Sequence, residues 1–362
     1  MVLLPTFSIL LPVYNGQRYL IEAIESALSQ SFSDFELLIA DDCSSDQSSK
    51  IIDTYARKDS RIIAWRNENN LGLFGNYNAC LKRASGRLIK PFAQDDFFAA
   101  NILAEFRKIF EKFPKTALVS CARRTVNQDG KELKVLRSFQ ADKQRSYEEV
   151  LGDNLLTLAN DIGEPSTVAF QAAFAGDGFD ESLYHLGDVE YWFRIIEHGS
   201  YYYLNEVLCN FRTHEGSTTS KNARGLRFAL DMIKLGQKYR SYLDSIGVSE
   251  DAYSRLTAEA TATHVKFLTR HRGISLRDLL AVEHETAESM VNDMTGFKEL
   301  LFYALMLAGE TLEENYALKQ EWEAERNRLE DKIANLVASR SWKLTVPLRG
   351  AIKILRSYSA KN

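Results

Sequence analysis

Phe7-Ser8-Ile9-Leu10-Leu11-Pro12-Val13-Tyr14-Asn15-Gly16 and Phe35-Glu36-Leu37-Leu38-Ile39-Ala40-Asp41-Asp42 decide how the N-terminal part of this chain folds. Each is a short apolar run closed by polar residues, the pattern of a buried strand. Between them, Leu20, Ile21, Ile24, Ala27 and Leu28 recur at helical spacing, which predicts a helix over 17–29. Ser44-Ser45-Asp46 offers caps for a second helix reaching about residue 57. The pattern continues with a strand at 61–65, a helix at 76–84, a strand at 87–92 and a helix at 101–113. Strands alternating with helices predict an α/β fold, a mostly parallel sheet with flanking helices on both faces.

Such sheets bind ligands beyond the carboxyl ends of their strands. Three polar clusters fall there: Asn15-Gly16, Asp41-Asp42 and Gln94-Asp95-Asp96. From 115 to 220 the pattern is mixed, with strands expected at 117–121 and 201–204 and a helix at 189–197. Phe228, Met232, Leu235 and Tyr239 then form one stripe of a helical region. The expected units are an α/β domain over 1–220, a helical domain over 221–309, a short coiled coil over 310–336 and a basic amphipathic tail over 337–362. In the coiled-coil segment Trp322, Leu329 and Leu336 repeat at seven, and Glu325 interrupts the seam. That segment predicts self-association.

The charge distribution narrows the partners. The chain has 362 residues and a formal net charge of −4, which carries no nucleic-acid signature. The tail holds six cations and no acid, so everything before it sums to −10. Trp342, Leu344, Leu348, Ile352 and Leu355 interleave with those cations, a composition suited to an anionic membrane surface or to packing on a partner. The four cysteines are scattered with no CxxC pair, which disfavours a zinc site or disulfide framework and fits a reducing cytoplasm. No apolar run approaches the ~20 residues that span a bilayer, and the first residues have no signal-peptide pattern. The expected location is cytoplasmic, with peripheral attachment at the inner face of the membrane.

Four groups of residues can carry chemistry. Asp41-Asp42 either cap the following helix or accept the N3–H of a pyrimidine base. Asp95-Asp96 are either caps or ligands for a divalent cation, since Mg²⁺ and Mn²⁺ favour oxygen ligands and often take one or two carboxylates plus substrate phosphates. Asp188 and Glu190 sit at the start of a predicted helix, where acids complement the dipole and where a general base can also stand. His214, in a segment read as a loop with Arg212 and Ser217, is either structural or a ligand contact.

Taken in order, these segments resemble glycosyltransferase family 2, whose fold is the GT-A type. The resemblance rests on Leu11-Pro12-Val13-Tyr14-Asn15-Gly16, Ile39-Ala40-Asp41-Asp42-Cys43-Ser44-Ser45-Asp46, Asn69-Asn70-Leu71-Gly72 through Asn76 and Asn78, and Ala84-Ser85-Gly86-Arg87 leading to Gln94-Asp95-Asp96. Asp188 with Trp192 and Arg194, and Arg212-Thr213-His214, complete it, so that it covers about 5–220. The resemblance implies an inverting transfer from a UDP- or dTDP-sugar to a saccharide or lipid-linked acceptor. It implies that Pro12, Val13, Tyr14 and Asn15 wall the nucleotide pocket, that Asp42 meets the base, and that Asn76 or Asn78 lies near the donor. By the same resemblance Asp95 or Asp96 holds Mn²⁺ or Mg²⁺ with His214, Arg212 neutralises phosphate and Asp188 is the catalytic base. The tail motif Ser339-Arg340-Ser341-Trp342-Lys343 is similar to the ends of some bacterial surface-polysaccharide glycosyltransferases.

Two departures stand out: Ala93 and Gly187 occupy positions where the family often has acids. Two rivals follow. A non-catalytic sugar-nucleotide-binding scaffold would fit a site in decay, but such a module has no need of Asp188. A nucleotidyltransferase would use a Gly-rich basic loop after the first strand, where this chain has Tyr14-Asn15-Gly16-Gln17-Arg18-Tyr19.

Overall fold

The structure is a computed structural model and describes residues 4–214, 216–217 and 227–272. Its first compact unit spans Met1–Tyr253 and its second Ser254–Asn362. The expected coiled coil at 310–336, the basic tail at 337–362 and, of the helical region, 221–226 and 273–309 lie outside the described residues.

The chain begins β1 (Phe7–Val13), α1 (Leu20–Leu28), β2 (Phe35–Asp41), α2 (Ser48–Ala56), β3 (Ile62–Arg66), α3 (Gly72–Leu81), β4 (Leu88–Pro91), β5 (Phe97–Phe98) and α4 (Ile102–Lys112). Then follow β6 (Thr116–Val126), β7 (Glu132–Leu136), β8 (Lys143–Arg145), α5 (Tyr147–Thr157), β9 (Val168–Gln171), α6 (Gly187–Ile196) and β10 (Ser200–Arg212). The helices α7 (Arg227–Lys238), α8 (Arg240–Ser245) and α9 (Glu250–Arg272) complete the described chain. The first compact unit therefore includes α7 and α8, which the sequence pattern placed in the helical region.

The sheet runs β3-β2-β1-β4-β9-β6-β10-β5, with β7 on β6 and β8 on β10. It is parallel where β3, β2, β1 and β4 meet, and β10 is parallel to β6. β9 runs antiparallel between β4 and β6, and β5, β7 and β8 are antiparallel additions. Alternation along the strands builds two cores. Phe7, Ile9, Leu11, Leu37 and Ile39 pack with α1 and α4 through Leu20, Ile24, Leu103 and Phe106. On α3 and α6, Phe74, Tyr77, Tyr191 and Trp192 gather around Phe179 as an aromatic cluster. Gly86 lies so close to β1 that a Cβ there would meet the Ser8 nitrogen at 2.5 Å. That approach lets the Gly86 N–H donate to Ser8 Oγ, while Ser8 and Ser85 bind the buried Glu36 carboxylate.

Candidate active site

The strand order reverses at β1, which has β2 on one side and β4 on the other, and this is the switch point where α/β sheets bind ligands. Pro12 and Val13 are the buried end of β1, and Tyr14 emerges with half its surface exposed. Across the switch point, the Tyr14 N–H donates to Gln94 Oε1 at 2.9 Å and Gln94 Nε2 donates to the Tyr14 carbonyl at 3.0 Å. Asn15, at φ +50°, donates its N–H to Ser44 Oγ and accepts from the Ser45 N–H. Gly16 lies close under Gln94, so that a Cβ there would push the Gln94 amide off its Tyr14 contacts. The three polar clusters predicted to converge are thus zipped to one another.

Asp41 and Asp42 are buried and fully engaged. Asp41 accepts from Arg66 Nη1 at 2.5 Å and from the Ser44 N–H at 3.0 Å. Asp42 accepts from the Leu71 N–H at 2.8 Å, the Gly72 N–H at 3.0 Å and Asn67 Nδ2 at 2.9 Å. It therefore caps α3, a helix distant in sequence, and not α2. Asn76 bridges Asn67 and the Ala40 carbonyl. Asn78 bonds the backbone of Phe179 in both directions and the Glu181 carboxylate. These three residues form the wall behind the rim.

After β4 the situation differs. Asp96 is buried; its Oδ1 accepts from the Arg212 N–H at 2.8 Å, and its Oδ2 has no hydrogen-bond partner among the described residues. Burial, together with the neighbouring Asp95 charge, pushes the Asp96 carboxyl well above the usual range. Asp95 stays partly exposed and its Oδ2 lies 2.9 Å from His214 Nε2. The His214 ring also packs on Tyr19.

Arg212, expected in a loop and at the diphosphate, is the buried last residue of β10. Its guanidinium donates to the carbonyls of Asp95, Asn127 and Gln128 and pairs with Glu22. A phosphate would have to displace those contacts. The structure places Arg212 in a strand and not in a loop, where it clamps the 95–96 backbone.

Sequence reading missed Lys90. It is fully buried in β4, with Nζ donating to the Pro91 and Ser166 carbonyls at 2.7 and 2.8 Å, and it lies over the Phe98 ring. Burial lowers its pKa to about 8. A lysine inside Leu88-Ile89-Lys90-Pro91-Phe92 was the available signal, since buried ionisable groups concentrate at functional sites.

Asp188 is half-buried in the first turn of α6, with the Val189 N–H donating to its Oδ1 at 2.8 Å. Burial pushes its carboxyl up to about 7, and the charges of Glu164 and Asp231 push the same way. The glycine before it has a steric reason: a Cβ on Gly187 would meet the Phe74 ring at 2.4 Å. Glu190 faces away into an ion-pair cluster with Arg194 and Lys238. Asp95, Asp96 and Asp188 all act electrostatically on the buried Tyr77 hydroxyl of α3. Segments far apart in sequence therefore share one field.

Among the described residues no three His, Cys, Asp or Glu side chains surround one point. A Mg²⁺ or Mn²⁺ site does not need three, because substrate phosphates complete it. Asp95 and His214 together, beside the unpartnered Oδ2 of Asp96, fit such an ion.

A parallel sheet with acids at the carboxyl ends of its strands, extended by antiparallel strands, is the GT-A type of α/β fold. TarS of S. aureus, solved with UDP-GlcNAc, matches it with a TM-score of 0.57 at 18% identity, covering 91% of this chain and 92% of that one. A mannosyltransferase of Pyrobaculum calidifontis, solved with GDP-Man and Mn²⁺, matches with a TM-score of 0.52 at 16% identity over 87% and 89% of the two chains. The family model described as glycosyl transferase family 2 matches residues 8–174, which takes in Asp95 and Asp96 and stops short of Asp188 and His214.

An uncharacterized glycosyltransferase of Rickettsia typhi is 30% identical over 60% of this chain and 66% of its own length. An uncharacterized protein of Mycobacterium tuberculosis is 30% identical over 62% and 72%. The chondroitin synthase of Escherichia coli is 24% identical over 70% and 35%. The chain belongs to glycosyltransferase family 2. It spans just under two thirds of the length of its rickettsial relative.

Proposed function

We propose that this chain is an inverting glycosyltransferase that moves a sugar from a UDP- or dTDP-sugar to a hydroxyl of a saccharide or lipid-linked acceptor in cell-surface polysaccharide synthesis. The observation that carries the reading is Asp95, 2.9 Å from His214 and beside the buried Asp96 at the carboxyl end of the sheet, with Asp188 in the first turn of α6 raised by burial to about 7. A general base works best when its pKa lies near the operating pH. A sugar-nucleotide scaffold would not need one. The sugar-nucleotide complexes of the two fold neighbours support the donor class, and the chondroitin synthase relative supports the polymer context.

In this reading Pro12, Val13, Tyr14 and Asn15 wall the nucleotide pocket. Asp42 orders the base side by holding 67–72, and meets the base directly only by exchanging one of its present contacts. Asn76 and Asn78 support the pocket from behind. Asp95 and His214 hold the divalent ion, and Asp96 with Arg212 fixes the backbone beneath them. Bound there, Mn²⁺ or Mg²⁺ supplies positive charge for the diphosphate leaving group. Asp188 takes the acceptor hydroxyl proton as that oxygen bonds the anomeric carbon. The bond to the diphosphate breaks on the opposite face, its electron pair leaves on the phosphate oxygen, and the anomeric centre inverts.

The test is nucleotide release from a panel of UDP- and dTDP-sugars, with saccharide acceptors, by wild type and by Asp188→Asn. Transfer in the wild type and its loss in the variant supports the reading; full activity in Asp188→Asn refutes it. Among the described residues no helix is long and apolar enough to cross a membrane. We assign the 337–362 tail to an anionic membrane surface at the cytoplasmic face, and 310–336 to self-association. Liposome sedimentation unchanged on deleting 337–362 would remove the first assignment.

A further inference from the structure

α7 holds the backbone that leads into the helix carrying Asp188. Asp231, in the middle of α7, is fully buried. Its Oδ2 accepts from three consecutive backbone N–H groups, Tyr184 at 2.9 Å, His185 at 2.5 Å and Leu186 at 2.8 Å, and its Oδ1 also faces the Tyr184 N–H at 3.2 Å. Leu186 is the residue on which α6 begins, and its own side chain makes no capping bond there. Asp188 follows two residues later. Burial raises the Asp231 carboxyl above its usual range, and the three N–H donors and Lys234 oppose that rise. Lys234, one turn further along α7, donates to the Ser182 carbonyl, so the same helix grips the segment twice. The sequence reading did not single out Asp231, because nothing in a helical stripe marks which polar residue turns inward.

We propose that Asp231 is a positioning residue for the transfer reaction: it fixes the first turn of α6 by holding the backbone of 184–186, and it acts electrostatically on Asp188. The proposal rests on the reading of Asp188 as the base. Three consecutive N–H groups anchored to one buried carboxylate leave the turn before Asp188 little freedom, and a base must be held to within a fraction of an ångström of the hydroxyl it serves. The charges acting at this point are few. Glu164, from the turn before β9, and Asp231 both favour the protonated Asp188. Tyr77 of α3 is uncharged. Glu190 of α6 is neutralised by Arg194 and by Lys238 of α7. Lys234 is the cation that moderates Asp231. Removing the Asp231 charge therefore lowers the pH at which Asp188 loses its proton.

The experiment needs neither donor nor metal. Full-length protein labelled with ¹³Cγ-aspartate is titrated by NMR, with the Asp188 resonance identified by its loss in Asp188→Asn. The expected midpoint is about 7 in the wild type. It should fall in Asp231→Asn. A folded Asp231→Asn protein with an unmoved midpoint overturns the proposal. If Asp231→Asn does not fold, Asp231→Ser decides: a downward shift supports the charge coupling and an unmoved midpoint overturns it. Failure of the base reading looks different, since transfer would then survive in Asp188→Asn whatever the titration gives.

Discussion

The chain carries two Asp-Asp pairs, each closing a parallel strand, and the structure treats them in opposite ways. Asp41 and Asp42 after β2 are matched by an arginine, three backbone N–H groups and an asparagine amide. Asp95 and Asp96 after β4 face a histidine, one backbone N–H and the Ser166 hydroxyl, and the buried Asp96 Oδ2 has no close hydrogen bond among the described residues. A buried polar group without a partner costs free energy. In the proposed function the less fully engaged pair is the one that meets a ligand. Asp188 belongs with the second pair, since its carboxyl is held near neutrality. The satisfied pair should carry stability and the unsatisfied acids should carry function.

Substitutions can break this division. The largest effect is expected at Asp188→Asn, where transfer should fall by about 10²–10⁴-fold while donor affinity, read by calorimetry, stays nearly unchanged. Loss of donor affinity together with rate would put Asp188 in the pocket wall. Next come Asp95→Asn and His214→Ala, which should weaken metal-dependent donor binding by at least about tenfold, equal to ~1.4 kcal/mol. Thermal melting in EDTA should be little changed by either.

The satisfied pair should respond in stability. Asp42→Asn points an amide at the Leu71 or Gly72 N–H and should cost about 1–3 kcal/mol in urea unfolding. Asp41→Asn should cost less, about 1 kcal/mol or under, because its Arg66 partner is half exposed. Equal losses at both positions would contradict the capping role given to Asp42.

The smallest effect is a slope. Burial raises the folded pKa of Asp188 above the unfolded value, so the native state keeps a proton that the unfolded chain has released. Stability in EDTA should therefore fall as pH rises from about 4 to 7. Asp96, raised for the same reason, extends that fall. Asp188→Asn and Asp96→Asn should each flatten the slope, as measured by unfolding midpoints across pH.

Much of the architecture was legible because β1 and β2 are apolar runs ended by acids; the structure extends the second by one residue, to Asp41. β5, with two residues, and β9, with four, are too short to show a period. β10 read as only 201–204 because its pairing with β6 shifts register after Leu204, and the polar pair Asn205-Glu206 falls there. That truncation put Arg212 in a loop and made it look like a phosphate ligand. The positions of the site acids were also legible, but their states were not. What satisfies Asp42 comes from 67–72, and what holds Asp96 comes from Arg212, so no local pattern distinguishes the two pairs. Lys90 and Asp231 act through buried contacts to distant backbone, which leave no spacing to read.

The most direct test of the central claim is calorimetric titration of UDP into the full chain with Mn²⁺ and with EDTA, in wild type, Asp95→Asn and Asp41→Asn. The account predicts binding only with Mn²⁺, its loss in Asp95→Asn and its retention in Asp41→Asn. Equal binding in EDTA, or retention in Asp95→Asn with loss in Asp41→Asn, would place the function at the wrong Asp-Asp pair.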